Sequence, residues 1–169
     1  MNERASEIAT AAAPSAGDSR WHYSPHATLR EARAQYFLRA GFDERSYAPR
    51  WVVLRIAGLP LLAFPNTAQR VRSVRLHDLH HVLTGYPTTW LGEGEIGAWE
   101  LASGCARHWA AWYLNFWAAG VGLCISSRRV LAAFRRGRSE HGLYDKEFCD
   151  ALLDETVAGA RARLGIAAP

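Results

Sequence analysis

Residues 109–125 are the stretch that most restricts how this chain can fold. Their sequence, WAAWYLNFWAAGVGLCI, contains no charged residue and is almost entirely apolar. Seventeen residues reach only the lower limit of a helix that spans a bilayer. We therefore expect a buried core helix. A helix lying on a membrane and a true span stay open as alternatives, because several arginines follow directly and could meet anionic head groups: Arg128, Arg129, Arg135, Arg136 and Arg138.

Helix signals recur on both sides of this stretch. Thr28 followed by Glu31 is a capping-box pattern, and apolar residues then continue at helical spacing until Gly41. Similar cap and spacing signals predict further helices near residues 67–84, 90–103 and 150–166. The expected fold class is therefore mostly α.

A small β-hairpin near residues 51–64 is the expected exception, since WVVLRI and LPLLAF are β-rich runs separated by Ala57-Gly58. Residues 1–20 show no apolar periodicity, so we expect a disordered N-terminal tail ahead of a single domain over residues 21–169. The tail contains acidic residues and no apolar core, unlike a secretory signal or a transit peptide. The expected location is a bacterial-type cytoplasm.

Charge and cysteine content exclude several classes of protein. The net charge is +4, but the basic residues are scattered and no recognised docking motif accompanies them, so we expect no nucleic-acid partner. The three cysteines show no paired spacing, which argues against a disulfide framework or a cysteine-bound zinc. We expect buried free thiols.

Residues 77–93, HDLHHVLTGYPTTWLGE, carry the chemical content of the sequence. On a helix that turns 100° per residue, His81 lies about 40° and Asp78 about 100° from His77, whereas His80 lies at about −60° and points away. The tight turn that follows should fold the next helix back, so that Glu93 in its first turn faces His81.

These positions predict a site for one divalent metal ion with His77, Asp78, His81 and Glu93 as ligands. Imidazole with carboxylate suits zinc, which we expect, and also iron or manganese, with magnesium as a further alternative. The absence of thiolates disfavours a closed structural zinc site, so an open coordination position is expected. Glu100 could orient a ligand or relay a proton, although a plain surface carboxylate is equally compatible with its position. Asp78 and Glu100 are the candidate catalytic residues.

The same residues resemble a known family. HDLHH, eleven residues and then Glu93 match the HDxxHx11E signature of the Coq-four proteins of ubiquinone (coenzyme Q) biosynthesis, including the intervening LTGYPT and LGE. FRRGR and the closing ARARLGI also resemble that family's C-terminal region. The resemblance covers roughly residues 66–166. The segment WVVLRIAGLPLLAF departs from it, since it replaces part of the helical N-terminal region of typical members.

The resemblance implies a mostly helical fold, zinc or another divalent ion held by the four residues above, and a hydrophobic channel for a prenyl chain. It implies oxidative decarboxylation, in which a hydroxyl replaces the ring carboxylate at carbon one of a quinone precursor. The implied partners are prenylated aromatic or isoprenoid molecules, other biosynthetic enzymes and a membrane surface, with a location peripheral on the inner membrane. A homodimer is a further possibility.

Three functions stay open at this stage. The first is a metal-dependent enzyme acting on a hydrophobic aromatic substrate, of decarboxylase or lyase type. The second is a metallohydrolase in which the Asp of HDxxH replaces the Glu of HExxH as base. The third is a non-catalytic lipid-binding scaffold with a structural metal. Five tryptophans could line a substrate pocket, although most are expected to be ordinary core: Trp90, Trp99, Trp109, Trp112 and Trp117.

Overall fold

The computed structural model describes residues 20–56 and 59–169. The predicted disordered tail, residues 1–20, lies outside the described residues except for its last position. The expected fold class is confirmed, because the described chain is mostly helical with one small hairpin.

Helix α1, Leu29–Ala40, begins and ends where its caps predict. Thr28 accepts from the backbone N–H of Glu31, whose side chain accepts in return from the Thr28 backbone, and Gly41 ends the helix with φ 70°. A short 3-10 helix, Glu44–Tyr47, leads to the hairpin. Strand β1, Trp51–Ile56, pairs antiparallel with β2, Leu59–Pro65, as the sequence predicts.

Helices α2 and α3 carry the candidate ligands, and both have side-chain N-caps. Thr67 caps α2, Ala68–Thr84, which ends at Gly85 with φ 78°. Thr89 caps α3, Trp90–Ser103. A threonine hydroxyl satisfies one of the backbone N–H groups that the first turn of a helix leaves without a partner, so each start is set locally.

Helix α4, Trp109–Gly137, is interrupted at Ser126, whose φ −154° and ψ 89° are not helical. A Cβ built on Gly122 would lie 3.0 Å from a methyl group of Val130. Eight residues of continuous helix would separate these positions by about 12 Å. The chain therefore folds back at Ser126 into a first arm, residues 109–125, and a second arm, residues 127–137.

Both arms of α4 pack on α3 through small residues. A Cβ on Gly94 would lie 2.5 Å from the Cα of Gly122 in the first arm, and a Cβ on Gly97 would lie 3.2 Å from that of Ala118. These α3 glycines therefore allow the two helices to approach closely. On the second arm, Arg129 forms a two-point ion pair with Glu95, at 2.6 and 3.0 Å.

The C-terminal segment differs from its prediction. The expected single helix over residues 150–166 is two helices, α5, Asp150–Leu153, and α6, Val157–Leu164. The separation arises because Thr156 has extended backbone and caps α6 by accepting from the Gly159 N–H. The apolar residues of both helices face inward and are buried: Leu152, Leu153, Val157 and Leu164.

The prediction that residues 109–125 form a buried core helix is wrong for one side of that helix. Its small residues face α3, whereas its large apolar residues face outward, with Phe116 at 67% exposure. Of the five tryptophans expected mostly in the core, Trp99 alone is buried. Cys105 is buried as expected, but Cys124 and Cys149 are exposed free thiols. Within the described ranges, no helix combines the length and apolar character that crossing a membrane requires.

Candidate metal centre

Three of the four predicted ligands converge at the junction of α2 and α3. The Nε2 atoms of His77 and His81 are 3.1 Å apart. Glu93 brings Oε1 to 3.3 Å from the His81 Nε2 and Oε2 to 3.5 Å from the His77 Nε2. Among the described residues, these three form a group whose ligand atoms could hold a metal ion.

The spacing of these atoms fits one ion. Nitrogen and oxygen ligands lie about 2.0–2.2 Å from zinc, so two ligand atoms of a tetrahedral site are about 3.3 Å apart. The three distances in the cluster, 3.1, 3.3 and 3.5 Å, lie around that value. Two imidazoles and a carboxylate also form a donor set typical of zinc, iron and manganese.

Hydrogen bonds at the far side of each ring determine which nitrogen is free to bind an ion. The His81 Nδ1 lies 2.7 Å from the Tyr86 carbonyl oxygen, which can only accept, so Nδ1 carries the proton. The His77 Nδ1 lies 2.9 Å from Oε1 of Glu100 and donates to it in the same way. Both Nε2 atoms therefore point into the cluster, as outer contacts of metal-bound histidines usually arrange.

Glu100 is completely buried beneath the cluster, so the surface-carboxylate interpretation is wrong. Besides His77, its carboxylate contacts the His80 Nδ1 at 2.6 Å and accepts from the Tyr144 hydroxyl at 2.9 Å and from the Asn115 amide. The predicted contact with a ligand is present. The role of Glu100 as a proton relay stays a prediction.

The charges in the cluster strongly affect one another. Burial would raise the pKa of Glu93, but His81 and His77 hold that pKa at about 2. Burial likewise opposes ionisation of Glu100, yet contacts with His77 and His80 keep its pKa well below the usual range. For His77, burial lowers the pKa, but Glu100 and Glu93 outweigh it and raise the pKa well above its ordinary value. The two glutamates are therefore carboxylates at neutral pH.

Asp78 has other partners and is not part of the three-residue cluster. Its carboxylate accepts from the Tyr36 hydroxyl at 3.3 Å and from the Tyr47 hydroxyl. The Tyr36 ring stacks on His81, with centroids 5.3 Å apart. Burial raises the pKa of Asp78. In this arrangement Asp78 supports a ligand through Tyr36, because its position about 100° around α2 from His77 directs it toward α1.

One side of the cluster is open. The His81 side chain is completely buried, whereas those of His77 and Glu93 are 20% and 34% exposed. A cluster with three ligands and an accessible side leaves room for water or a substrate atom at a fourth position. The geometry is therefore that of an open site.

Five residues that contact the candidate site were not predicted from the sequence. A signal existed for Asn115, because a single amide within an uncharged apolar run needs a buried hydrogen-bond partner. His80 also lies among apolar helix residues, which indicates burial. The three tyrosines, Tyr36, Tyr47 and Tyr144, are distant in the chain and had no local signal.

Comparison of the chain with protein family models, with curated protein sequences and with solved structures found no match.

Proposed function

We propose that this protein is a metal-dependent enzyme acting on a hydrophobic, prenylated aromatic acid. The observation that carries the proposal is the convergence of two imidazole Nε2 atoms and the Glu93 carboxylate on one partly open position. His77, His81 and Glu93 would hold the divalent ion, with zinc preferred. Such an ion would supply Lewis acidity toward carboxylate or phenolate oxygens.

The proposed reaction is oxidative decarboxylation, and its type rests on the resemblance of the HDLHH and Glu93 motif to the Coq-four family. The bond between the ring and its carboxylate breaks, carbon dioxide leaves, and a ring carbon–oxygen bond forms. Water supplies the hydroxyl oxygen, and dioxygen takes up the two electrons and two protons released, which gives hydrogen peroxide. Around the site, Glu100 orients His77, and Tyr36 packs against His81, so the chain's own residues keep the ligand rings in place.

The competing metallohydrolase requires Asp78 to activate water beside the ion. Both Asp78 oxygens accept from tyrosine hydroxyls, and the carboxylate is buried, so its contacts do not favour that role. A scaffold with a structural metal is the other alternative. The exposed side of the cluster favours catalysis over it, because a structural zinc site normally has four protein ligands.

Metal content tests whether the cluster binds an ion, which the proposal requires. We expect about one divalent ion per chain by elemental analysis and native mass spectrometry. His81→Ala and Glu93→Ala should each lose it, whereas the exposed control His141→Ala should keep it. Asp78→Asn should also keep it, since three ligands suffice. Full metal content in both ligand variants would contradict the assignment, and loss in Asp78→Asn would make Asp78 a fourth ligand.

Turnover tests the reaction. Metal-loaded protein, supplied with dioxygen and a prenylated hydroxybenzoate, should release carbon dioxide and form the ring-hydroxylated product, detected by mass spectrometry. Glu93→Ala should abolish the product while circular dichroism reports an intact fold. Metal binding without turnover of any prenylated aromatic acid would favour the scaffold, particularly if removing the ion unfolds the domain.

A second observation supports docking of the protein on a membrane surface. Five large aromatic residues, here called the aromatic face, are exposed along one side of the first arm of α4: Trp109, Trp112, Tyr113, Phe116 and Trp117. With Leu101 and Phe134 they line an open groove of about 810 Å³. Contiguous exposed apolar surface of this kind marks an interaction site.

The charge around the aromatic face favours an anionic bilayer as its partner. Residues 101–139 contain no Asp or Glu. Arg128, Arg135 and Arg138 are exposed, whereas Arg129 and Arg136 contact Glu95 and Glu140. Tryptophan and arginine together favour the boundary between head groups and acyl chains, and each basic residue near an anionic surface contributes roughly 1 kcal/mol.

Vesicle sedimentation tests this docking. Vesicles with anionic lipid should retain the protein at low salt and release it at high salt, whereas zwitterionic vesicles should bind it less. The pair Phe116→Ser and Trp117→Ser should abolish retention, and Trp51→Ser, at an exposed tryptophan outside the aromatic face, should not. Equal retention of the Phe116/Trp117 double variant and of Trp51→Ser on anionic vesicles would contradict the proposal. A dimer that the aromatic-face pair dissociates would instead identify a second copy as the partner.

A further inference from the structure

We propose that His80, Asn115 and Tyr144 are positioning residues of the candidate metal centre. They contact none of its three ligands through a hydrogen bond, and instead fix the Glu100 carboxylate that orients His77. The inference rests on the proposed function, because it assumes that the cluster binds an ion. It predicts that metal affinity depends on groups that never touch the ion.

Each of the two Glu100 oxygens accepts from two donors, Oε1 from imidazoles and Oε2 from a hydroxyl and an amide. Oε1 lies 2.9 Å from the His77 Nδ1 and 2.6 Å from the His80 Nδ1. Oε2 accepts from the Tyr144 hydroxyl at 2.9 Å and from the Asn115 amide. Four donors on one carboxylate leave it little freedom to rotate, because each of its lone-pair directions is used. The hydrogen bonds of Tyr144 and Asn115 to Oε2 therefore help to fix the position of Oε1 beside His77.

The backbone determines the orientation of His80. The Leu143 N–H donates to the His80 Nε2 at 2.7 Å, so that nitrogen must be the acceptor. The proton of neutral His80 then lies on Nδ1 and is donated to Glu100. His80 thus differs from His77 and His81, which direct Nε2 into the cluster. This explains why a third histidine of HDLHH points away from the site and is nevertheless completely buried.

The three positioning residues come from three separate parts of the chain. His80 lies on α2, Asn115 on the first arm of α4, and Tyr144 in the segment between α4 and α5. A buried carboxylate without partners would be costly, and a partly satisfied network is worse than an apolar one. A well-oriented His77 therefore depends on contacts that all three segments make with Glu100.

A merely structural role would lower the stability of the fold without changing the affinity of the folded protein for metal. A positioning role changes the affinity itself, since substitutions among outer contacts of a metal site typically weaken binding by about 10- to 100-fold. Metal affinity and unfolding temperature therefore separate the two roles. Cobalt adds a signature, because its visible absorption reports the geometry of the ligands.

The experiment compares two tyrosine-to-phenylalanine variants. Tyr144→Phe removes the hydroxyl that donates to Glu100, whereas Tyr23→Phe removes a core hydroxyl from a ring that contacts Arg39 instead. Zinc affinity is measured by chelator competition and the cobalt spectrum is recorded, both at a temperature where circular dichroism shows folded protein. We expect Tyr144→Phe to weaken zinc binding at least about tenfold and alter the spectrum. Tyr23→Phe should change neither.

Asn115→Leu provides a second route, because it removes the other donor to Oε2 with a side chain of similar size. It should weaken zinc binding in the same range as Tyr144→Phe. Wild-type zinc affinity and cobalt spectra in both variants would overturn the positioning role while the metal site stands. Equal weakening by Tyr23→Phe would also overturn it, as general loosening. A wild-type protein that binds no zinc would overturn the proposed function and this inference together.

Discussion

Metal binding at this site should compete with a proton. His77 and His81 direct their Nε2 atoms at each other over 3.1 Å, where two lone pairs repel unless a proton or an ion lies between them. Burial lowers the pKa of His77, but the carboxylates of Glu100 and Glu93 raise it well above its ordinary value. We therefore predict that ion uptake displaces a proton from His77 at pH values where an ordinary imidazole would already be neutral.

The size of the effect follows from the direction of that shift. Because the pKa is raised, His77 is protonated below the raised value and neutral above it. An ion needs the neutral form, so its apparent Kd should weaken about tenfold per pH unit below that pKa, which is about 1.4 kcal/mol. Ordinary imidazole would show this slope only below about pH 6.5. Here the slope should extend to higher pH than that and disappear above the raised pKa.

Zinc competition titrations between about pH 6 and 8, with calorimetry in buffers of different ionisation enthalpy, measure both the slope and the number of protons released. Glu100→Gln removes a carboxylate that raises the His77 pKa, so its slope should end at a lower pH. The exposed control His141→Ala should keep the wild-type profile. An affinity independent of pH over this range, with no proton release, would refute the reasoning.

Three further predictions concern the fold that positions the site. Gly94→Ala should lower the free energy of unfolding by about 1–3 kcal/mol in urea titrations, because the added methyl group would meet the backbone of α4. The control Gly120→Ala places its methyl group in open space, so its free energy of unfolding should stay unchanged or rise. Thr156→Ala should cost about 1 kcal/mol through loss of the α6 cap. Trp99→Phe should cost about 1–3 kcal/mol, seen as a lower Tm, because buried Glu140 loses its indole donor at 2.6 Å. Unchanged stability in any of these variants would contradict the corresponding contact.

The helices that could be predicted well are those whose ends are specified by neighbouring residues. Thr28 with Glu31 begins α1, and Thr67 and Thr89 begin α2 and α3 at the predicted places. A cap involves residues within three positions of each other, so the sequence contains all of it. The break between α5 and α6 was missed, although Thr156 is a cap of the same kind, because an apolar spacing continues across it.

The fold of α4 depends on contacts between residues that are distant along the chain. Nothing at Ser126 signals a reversal, since neither proline nor glycine occupies the position. The reversal lets both arms pack on α3, where Gly94 and Gly122 meet. Hydrophobicity alone suggested that the largest side chains would be buried. Close packing of small residues instead leaves the aromatic side outward, an arrangement that composition cannot distinguish from a core helix.

The candidate ligands could be predicted because they lie within one helix turn and one short connection. His77 and His81 are four residues apart on α2, and Glu93 follows in the first turn of α3. The groups that orient them could not, since Asn115 and Tyr144 reach Glu100 from segments 15 and 44 residues away. Such pairings are set by tertiary packing, which no local spacing encodes.

Asp78 shows why the spacing of a motif does not separate a ligand from its support. Its sequence position, directly after His77, made it a candidate ligand, yet its hydrogen bonds go to Tyr36 and Tyr47. Tyr36 in turn stacks on the face of the His81 ring, and the Nε2 atom of that ring is directed into the cluster. A carboxylate at this position can therefore support the metal centre without touching the ion, because it contacts the aromatic ring that packs against the ligand. A ligand and a residue that supports a ligand can occupy the same position in a sequence motif. Only the hydrogen bonds and packing contacts of the side chain distinguish the two roles.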